Sequence, residues 1–424
     1  MSAMPPLFFM PKNITDIKER LLMKKLTLTV LLLVFTLSTF VAGVNAANAN
    51  FKDLKGDHWA YSAIQSAITM GALSGYPDGS FKPSNNITRG EFASALSRLI
   101  KLPVPSAEEE AFTDIKTDHW AKEAVERLVR LSIIKKEDYS SGFNPSEPLT
   151  RYEMFKWMVS ALTVDSPSFK QALKDTEGTL VPFVEYYKGG IKEEKIPYVA
   201  VARGVSLTKG FPDGTIGLDK KTTRAEVAVV MNTYRKVEGT DASKYVELTE
   251  MRNVGTIGTN MYEIVDDFLI GKDYDGLPTP IENIIGKEIS TYRKGKLTIH
   301  RYIVVDARAK RGDDIKGVYA DMFFDKSLSR FEKAYRVYVE VSHTSGVVGL
   351  ENLSFQSEVP DISGSQVFGE TVAKYGFLTY PSLQDGKFFI KGKERRFWVN
   401  VNISINAGTS IVADDGTMVS FKLQ

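Results

Sequence analysis

A Thr-Arg-x-Glu tetrapeptide occurs three times in this chain, and each copy opens an apolar stripe of helical period. The copies are Thr88-Arg89-Gly90-Glu91, Thr150-Arg151-Tyr152-Glu153 and Thr223-Arg224-Ala225-Glu226. A threonine followed three residues later by glutamate is a capping box, the signature of a helix N-terminus. Each arginine then falls in a first turn, beside backbone N–H groups without intrahelical partners and at the positive end of the helix dipole. Those are the components of an anion site, and the sequence predicts three of them. A single first-turn arginine would mean no more than a surface ion pair with a neighbouring carboxylate. Recurrence in one setting favours ligand contact in at least two copies. Glu91, Glu153 and Glu226 already have a capping task and are not assigned to a ligand.

The repeat is longer than the tetrapeptide. Phe51-Lys52-Asp53-Leu54 precedes Asp57-His58-Trp59, and Phe112-Thr113-Asp114-Ile115 precedes Asp118-His119-Trp120. Gly75-Tyr76-Pro77-Asp78-Gly79 stands before Arg89 as Gly210-Phe211-Pro212-Asp213-Gly214 stands before Arg224. Phe81-x-Pro83 and Phe143-x-Pro145 hold matching places. Such periodicity implies one supersecondary unit used three times. Each unit reads as helix, turn, helix. Ala63, Ile64, Ala67 and Ile68 recur at helical spacing after the first tryptophan, and Ala124, Val125, Leu128 and Val129 after the second. Beyond the arginines come Phe92, Ala95, Leu96 and Leu99; Met154, Met158 and Ala161; and Val227, Met231 and Tyr234. A lone hairpin this short cannot bury both stripes, so the units are expected to pack around a common core.

The succession F-x-D, W-A, G-Y-P-D-G-x-F-x-P and I-T-R-x-E resembles the S-layer homology (SLH) domain of bacterial surface proteins, over about residues 51–238. The resemblance implies an all-α, three-pronged pseudo-trimer of helix-turn-helix repeats at 51–106, 111–166 and 172–238. It also implies non-covalent binding of a secondary cell-wall polysaccharide in the grooves between prongs, with a pyruvylated N-acetylmannosamine as the epitope. A guanidinium fork suits the ketal carboxylate of such a sugar bidentately, as an ammonium does not. The candidate polymer-binding residues are Arg89, Arg151 and Arg224, with Trp59, Trp120, Asp53, Asp114, Gly75, Tyr76 and Gly210 from the matched motifs. For the tryptophans a core position is the first expectation, because an aromatic ring at the start of an amphipathic stripe is more often buried. A platform for a sugar ring is the alternative.

The copies are unequal. Repeat 2 has Glu137-Asp138-Tyr139-Ser140-Ser141-Gly142 in place of the Pro-Asp-Gly turn. Repeat 3, read as starting at Leu173-Lys174-Asp175-Thr176, carries an insertion through Gly189-Gly190 and no tryptophan. Leu218 stands where the others have proline. The groove centred on Arg89 is ranked first.

Upstream, Met23-Lys24-Lys25 and the apolar run Leu26 to Val44 end in small-residue sites at Val44-Asn45-Ala46 and Ala47-Asn48-Ala49. That pattern describes a secretory signal peptide over 23–46, preceded by an upstream extension at 1–22. A membrane anchor is the alternative for a run of this length. With no cysteine, thiolate zinc sites and cysteine nucleophiles are excluded. A net charge of +2 without a basic tract gives no nucleic-acid signature, and no cofactor or metal motif emerges.

After Gly239 the pattern changes to period two. Val337, Val339 and Val341 alternate with Tyr338, Glu340 and Ser342, and a similar alternation runs from Phe397 to Ile405 and from Val419 to Leu423. Residues 245–424 are therefore expected to form a mainly-β domain, a sandwich or barrel. The pairs Asp266-Asp267, Asp313-Asp314 and Asp414-Asp415 read as solvated loops, and less often as calcium ligands. Arg311-Gly312-Asp313 matches an integrin-adhesion tripeptide that recurs by chance. His300 and His343 show no nucleophile beside them in sequence. The expectation is a secreted, non-enzymatic surface protein of cell wall or S-layer, with possible self-association in a surface layer. The alternatives are an anchored glycan- or protein-binding adhesin and, third, an anchored polysaccharide hydrolase.

Overall fold

The computed structural model describes residues 50–106, 112–292, 294–308, 315–323, 334–347, 370–380, 388–404 and 408–423. The assignments at 1–22 and 23–46, the Arg311-Gly312-Asp313 tripeptide and Asp313-Asp314 lie outside these residues.

Helices α1 (Tyr61–Thr69), α2 (Arg89–Leu99), α3 (Lys122–Arg130), α4 (Arg151–Thr163), α5 (Pro167–Asp175), α6 (Val184–Tyr187), α7 (Ile196–Gly204) and α8 (Arg224–Val237) build the N-terminal part. All three capping boxes form: each threonine accepts from the glutamate N–H, and each carboxylate reaches back to the threonine N–H. The apolar stripes behind them are buried in a common core, with Phe92, Leu96, Met154, Met158, Val227 and Met231 all inaccessible.

The short segments ahead of α2, α4 and α8 close a ring. Ile87 donates its N–H to Thr222 O at 3.0 Å, Leu149 to Ile87 O at 2.9 Å, and Thr222 to Leu149 O at 3.0 Å. Each arginine N–H then donates to the neighbouring unit: Arg89 to Glu147 O, Arg151 to Lys220 O and Arg224 to Asn85 O, all at 2.9 Å. Gly90, Tyr152 and Ala225 donate likewise to Pro145, Leu218 and Pro83. The first-turn donors, which a single helix would leave open for an anion, are therefore taken by the adjoining repeat.

The third unit starts later than its sequence suggests. Asp53 accepts from the N–H groups of Phe81 and Lys82 at 2.8 and 2.7 Å, and Asp114 from Phe143 and Asn144 at 3.1 and 2.7 Å. Glu185 does the same for Ile216 and Gly217 at 3.0 and 2.8 Å. The recipient residues Lys82, Asn144 and Gly217 all hold positive φ, at 56°, 51° and 64°. Phe183-Val184-Glu185 is thus the counterpart of Phe51-Lys52-Asp53, and Leu173 is not. A longer carboxylate and the Gly189-Gly190 insertion hide it.

Residues 246–257, within the stretch expected to be β-rich, form helix α9 (Val246–Ile257), followed by α10 (Met261–Ile264). Helix α9 lies hard against α5 and α7. A Cβ on Gly204 would stand 2.6 Å from Leu248 Cα, and one on Gly255 would stand 2.1 Å from Asp175 O. Gly255→Ala is expected to cost about 2 kcal/mol by forcing these helices apart, read as a lower denaturation midpoint; an unchanged midpoint would mean that this contact yields freely.

The strands are β1 (Phe268–Ile270), β2 (Glu288–Ser290), β3 (Lys296–Val305), β4 (Ala334–Thr344), β5 (Glu394–Ser404), β6 (Gly408–Val412) and β7 (Met418–Leu423). They form two antiparallel sheets, β2-β3-β4-β5 and β1-β7-β6. Val337, Val339 and Val341 face a core shared with Ile411, Val419 and Phe421 of the smaller sheet. The other face of β4, which its sequence marks as half-exposed, is also covered. Tyr338 and Trp398 join the core of the helical part, and so does Phe323 of α11 (Ala320–Phe323), stacked on Tyr338 at 4.6 Å. Glu340 on that face accepts from Arg301 and Arg396, while Arg301 also donates to Gly178 O at 3.1 Å. Burial raises the Glu340 carboxyl, but the two guanidinium groups outweigh it and hold the pKa below the usual value. One apolar core thus runs from the repeats into the sheet.

Candidate functional site

Each arginine of the repeated tetrapeptide enters a socket on the next unit. Arg89 donates to Glu153 Oε1 at 2.7 Å and to Phe143 O at 3.0 Å, with its guanidinium 5.2 Å from the Tyr139 ring centre. Arg151 donates to Ile216 O at 3.1 Å and Glu226 Oε1 at 3.2 Å, 4.8 Å from the Phe211 ring. Arg224 donates to Phe81 O at 2.8 Å and Ser74 O at 2.6 Å, with Glu91 at 3.8 Å and the Tyr76 ring at 4.7 Å. Arginine of unit 1 meets unit 2, that of unit 2 meets unit 3, and that of unit 3 returns to unit 1. A carboxylate has two oxygens, so one glutamate serves two ends. Glu153 Oε2 caps its own helix while Oε1 receives Arg89.

The remaining motif residues also have structural tasks. Burial would raise the Asp53 carboxyl, but the N–H groups of Phe81 and Lys82 hold it below the usual carboxylate range. A Cβ on Gly75 would lie 2.1 Å from the Phe51 ring, and on Gly210 2.7 Å from Phe183. These glycines make room for an aromatic side chain. Tyr76 donates to Glu91 Oε1 at 2.9 Å.

The tryptophans correct the first expectation. Trp59 is 68% exposed and Trp120 63%. The buried residue in each case is the following alanine, Ala60 or Ala121, which starts the helix and points into the core. Each indole is instead backed by its preceding histidine, with ring centres 5.7 Å apart for His58–Trp59 and 5.3 Å for His119–Trp120.

Trp59 borders an open groove of about 460 Å³ between units 1 and 3. Its other walls include Pro83, Ser84, Phe211, Ala225, Lys220, Lys221 and the edge of Arg151. Three cations face one carboxylate, Glu226, so an anion is favoured there. The groove ranked first by sequence, at Arg89, is differently furnished. Tyr152 stands where the other tetrapeptides have glycine or alanine, with Lys195 Nζ 4.6 Å above its ring and Asp219 3.7 Å from Lys195.

In the C-terminal part, His300 Nε2 lies 2.8 Å from Ser342 Oγ, a neighbour invisible in sequence because it is placed by strand pairing. Ser342 is buried, and Glu394 contacts the serine at 3.3 Å rather than the far imidazole nitrogen. That order does not orient a histidine base toward a nucleophile. A cleft of about 410 Å³ nearby is lined by His300, Arg301, Arg396 and Glu282, but both guanidinium groups are engaged by Glu340 and Glu282 by Tyr262. Asp414 accepts from Ser290 and pairs with Lys296, and Asp415 pairs with Lys287. No group of three metal-ligating side chains occurs among the described residues.

The family model for the S-layer homology domain matches residues 50–93 and 111–155. An S-layer protein of Bacillus licheniformis is 27% identical over 229 residues, covering 53% of this chain and 25% of the relative. A cellulosome-anchoring protein of Acetivibrio thermocellus is 36% identical over 118 residues, 26% of this chain and 25% of that protein. An uncharacterized cell wall amidase of Bacillus anthracis is 26% identical over 288 residues, 66% of this chain and 50% of the relative. The chain spans about a quarter of the length of the S-layer proteins it matches. The chain carries S-layer homology sequence at residues 50–93 and 111–155, which places it at the bacterial cell surface.

Proposed function

We propose that this is an S-layer or S-layer-associated structural protein, held non-covalently at the wall by its helical part. Units 1, 2 and 3, the last beginning at Phe183, form the pseudo-threefold SLH trimer. The ligand is a secondary cell-wall polysaccharide, with a carboxylate-bearing sugar such as pyruvylated N-acetylmannosamine as its epitope. The two sheets behind it, sharing one core, make a small sandwich.

The observation that carries this reading is Trp59, exposed and backed by His58 beside a cationic groove. A sugar ring stacks on an indole face while its carboxylate is met by lysine and guanidinium donors. An anchored hydrolase, which the amidase relative brings to mind, has no support from the buried Ser342–His300 contact.

The test is calorimetric titration of the whole chain with purified wall polymer, native and depyruvylated. The expected result is binding to the native polymer only, and at least a tenfold loss in Trp59→Ala with an unchanged melting temperature. Equal binding to both polymers would remove the carboxylate from the reading. Wild-type affinity in Trp59→Ala and Trp120→Ala together would remove the platforms.

A further inference from the structure

We infer that the three grooves of the helical part are not interchangeable: only the Trp59 groove takes the acidic sugar of the polymer, and Lys220 and Lys221 are the residues that select it. The inference rests on the polysaccharide reading above and deepens it.

The ring of backbone bonds fixes which residues correspond. Lys220, Asn85 and Glu147 are equivalent, because each offers its carbonyl to the arginine N–H of the adjoining unit at 2.9 Å. Lys221, Asn86 and Pro148 follow at the next place, where they bridge Thr150, Thr223 and Thr88. The same pair of positions therefore carries two positive charges beside Arg151, none beside Arg224, and one negative charge beside Arg89. Both lysines are exposed. Lys220 Nζ lies 4.1 Å over the Phe211 ring and Lys221 Nζ 3.2 Å from Pro148 O, so both have defined places at the groove rim.

The floors differ in the same order. Ala225 lies in the Trp59 groove and leaves it open. Gly90 occupies the corresponding place near Trp120, where a Cβ would come 3.0 Å from Pro145 O and 3.3 Å from Ala121 Cβ. Tyr152 takes the third place, packed edge-on against Tyr198 and roofed by Lys195. By the helix offsets that align Ala60, Ala121 and Lys195 as N-caps, the residue at the tryptophan position there is Glu194. The groove at Arg89 thus sets Glu147, Asp219 and Glu194 against Arg89 and Lys195, the latter already paired with Asp219, over a filled floor, and disfavours an anion. The groove at Trp120 keeps its platform, but Asn85 and Asn86 stand in the lysine positions and Arg224 is engaged by Phe81 O and Ser74 O, so nothing at these places holds the acidic sugar.

The experiment uses the whole chain and two probes: an acidic oligosaccharide released from the wall polymer, and the same oligosaccharide with its carboxyl groups reduced. The wild type is expected to bind one acidic oligosaccharide per chain. Lys220→Gln with Lys221→Gln should weaken that binding at least tenfold and leave any binding of the reduced probe unchanged. The converse pair, Asn85→Lys with Asn86→Lys, should raise the stoichiometry to two. Unchanged acidic affinity in the lysine variant, or two or three equal acidic sites in the wild type, would overturn the inference while leaving the polysaccharide reading intact. Failure of the wild type to bind either probe would overturn that reading, and this inference with it.

Discussion

Replacing Arg224 with alanine is expected to lower the melting temperature by roughly 10 °C, more than any other change in the tetrapeptides. Arg224 is 4% exposed, and its guanidinium is held by two backbone carbonyls, Phe81 O and Ser74 O, between the rings of Tyr76 and Phe81. Removing one partner of a buried charged interaction costs about 3–5 kcal/mol, because the other groups stay buried without their donor. In a chain this large each kcal/mol moves the midpoint by about 2–4 °C. Lysine should not rescue, since one ammonium cannot reproduce the fork. Arg89 is less deeply set, with its side chain 19% exposed, and its alanine variant should lose less. Thermal melts followed by circular dichroism decide the matter. An Arg224→Ala chain melting with the wild type would mean that the socket is not what holds unit 3 to unit 1.

The second large effect concerns pH. Glu250 on α9 is fully buried, with no cationic partner among the described residues; it accepts from Val318 N–H and from the Asn260 side chain, each at 3.2 Å. Burial pushes its pKa up to about 7, against lowering by those donors, and Glu247 and Glu263 add repulsion. Of the charged groups around α9, Glu247 pairs with Arg203 of α7, and Asp175 of α5 pairs with Arg252. A carboxyl whose pKa is raised by folding binds its proton more tightly in the native state. Its stabilising contribution is complete below the unfolded value of about 4.5 and is lost as pH rises through 7. The full difference is about 3 kcal/mol. The urea midpoint should therefore fall between pH 5.5 and pH 8, and Glu250→Gln should flatten that slope and stabilise the chain at pH 8. An equal slope in wild type and variant would assign the pH dependence elsewhere.

The helical part was legible because its signals are local. A capping box involves residues three apart, and all three form as read. What the arginines touch was not legible, because their partners lie 54 to 150 residues away in sequence. Capping accounts for one oxygen of each glutamate, and local sequence carries no signal for what the other receives. Glu185 is hidden for a related reason: a glutamate stands in the aspartate's place and the Gly189-Gly190 insertion follows it, so neither residue type nor spacing matches the other copies. In the C-terminal part the valines of β4 and β5 gave the strands correctly. Tyr338, Glu340 and Ser342 between them looked like a wet face, since polar and aromatic residues read alike whether water or another element covers them. Here the helical part and α11 cover Tyr338; Arg301 and Arg396 close over Glu340; and His300 and Glu394 meet Ser342. The tryptophans failed by one residue, the helix starting just after the position where the stripe was counted from.

The circle of sockets has a consequence for how the chain is made. Units 1 and 2 engage over a sequence gap of 64 residues, between Arg89 and Glu153, whereas Arg224 reaches back 143 and 150 residues to Phe81 and Ser74. During synthesis, unit 1 emerges with an empty socket and unit 2 with an unplaced guanidinium until residue 224 and its helix follow. A fragment stopped between them has cohesive ends of head-to-tail type, complementary to those of any other such fragment, and such contacts propagate instead of closing. Completion of the third unit is what turns a potential filament into a circle of sockets closed within one chain.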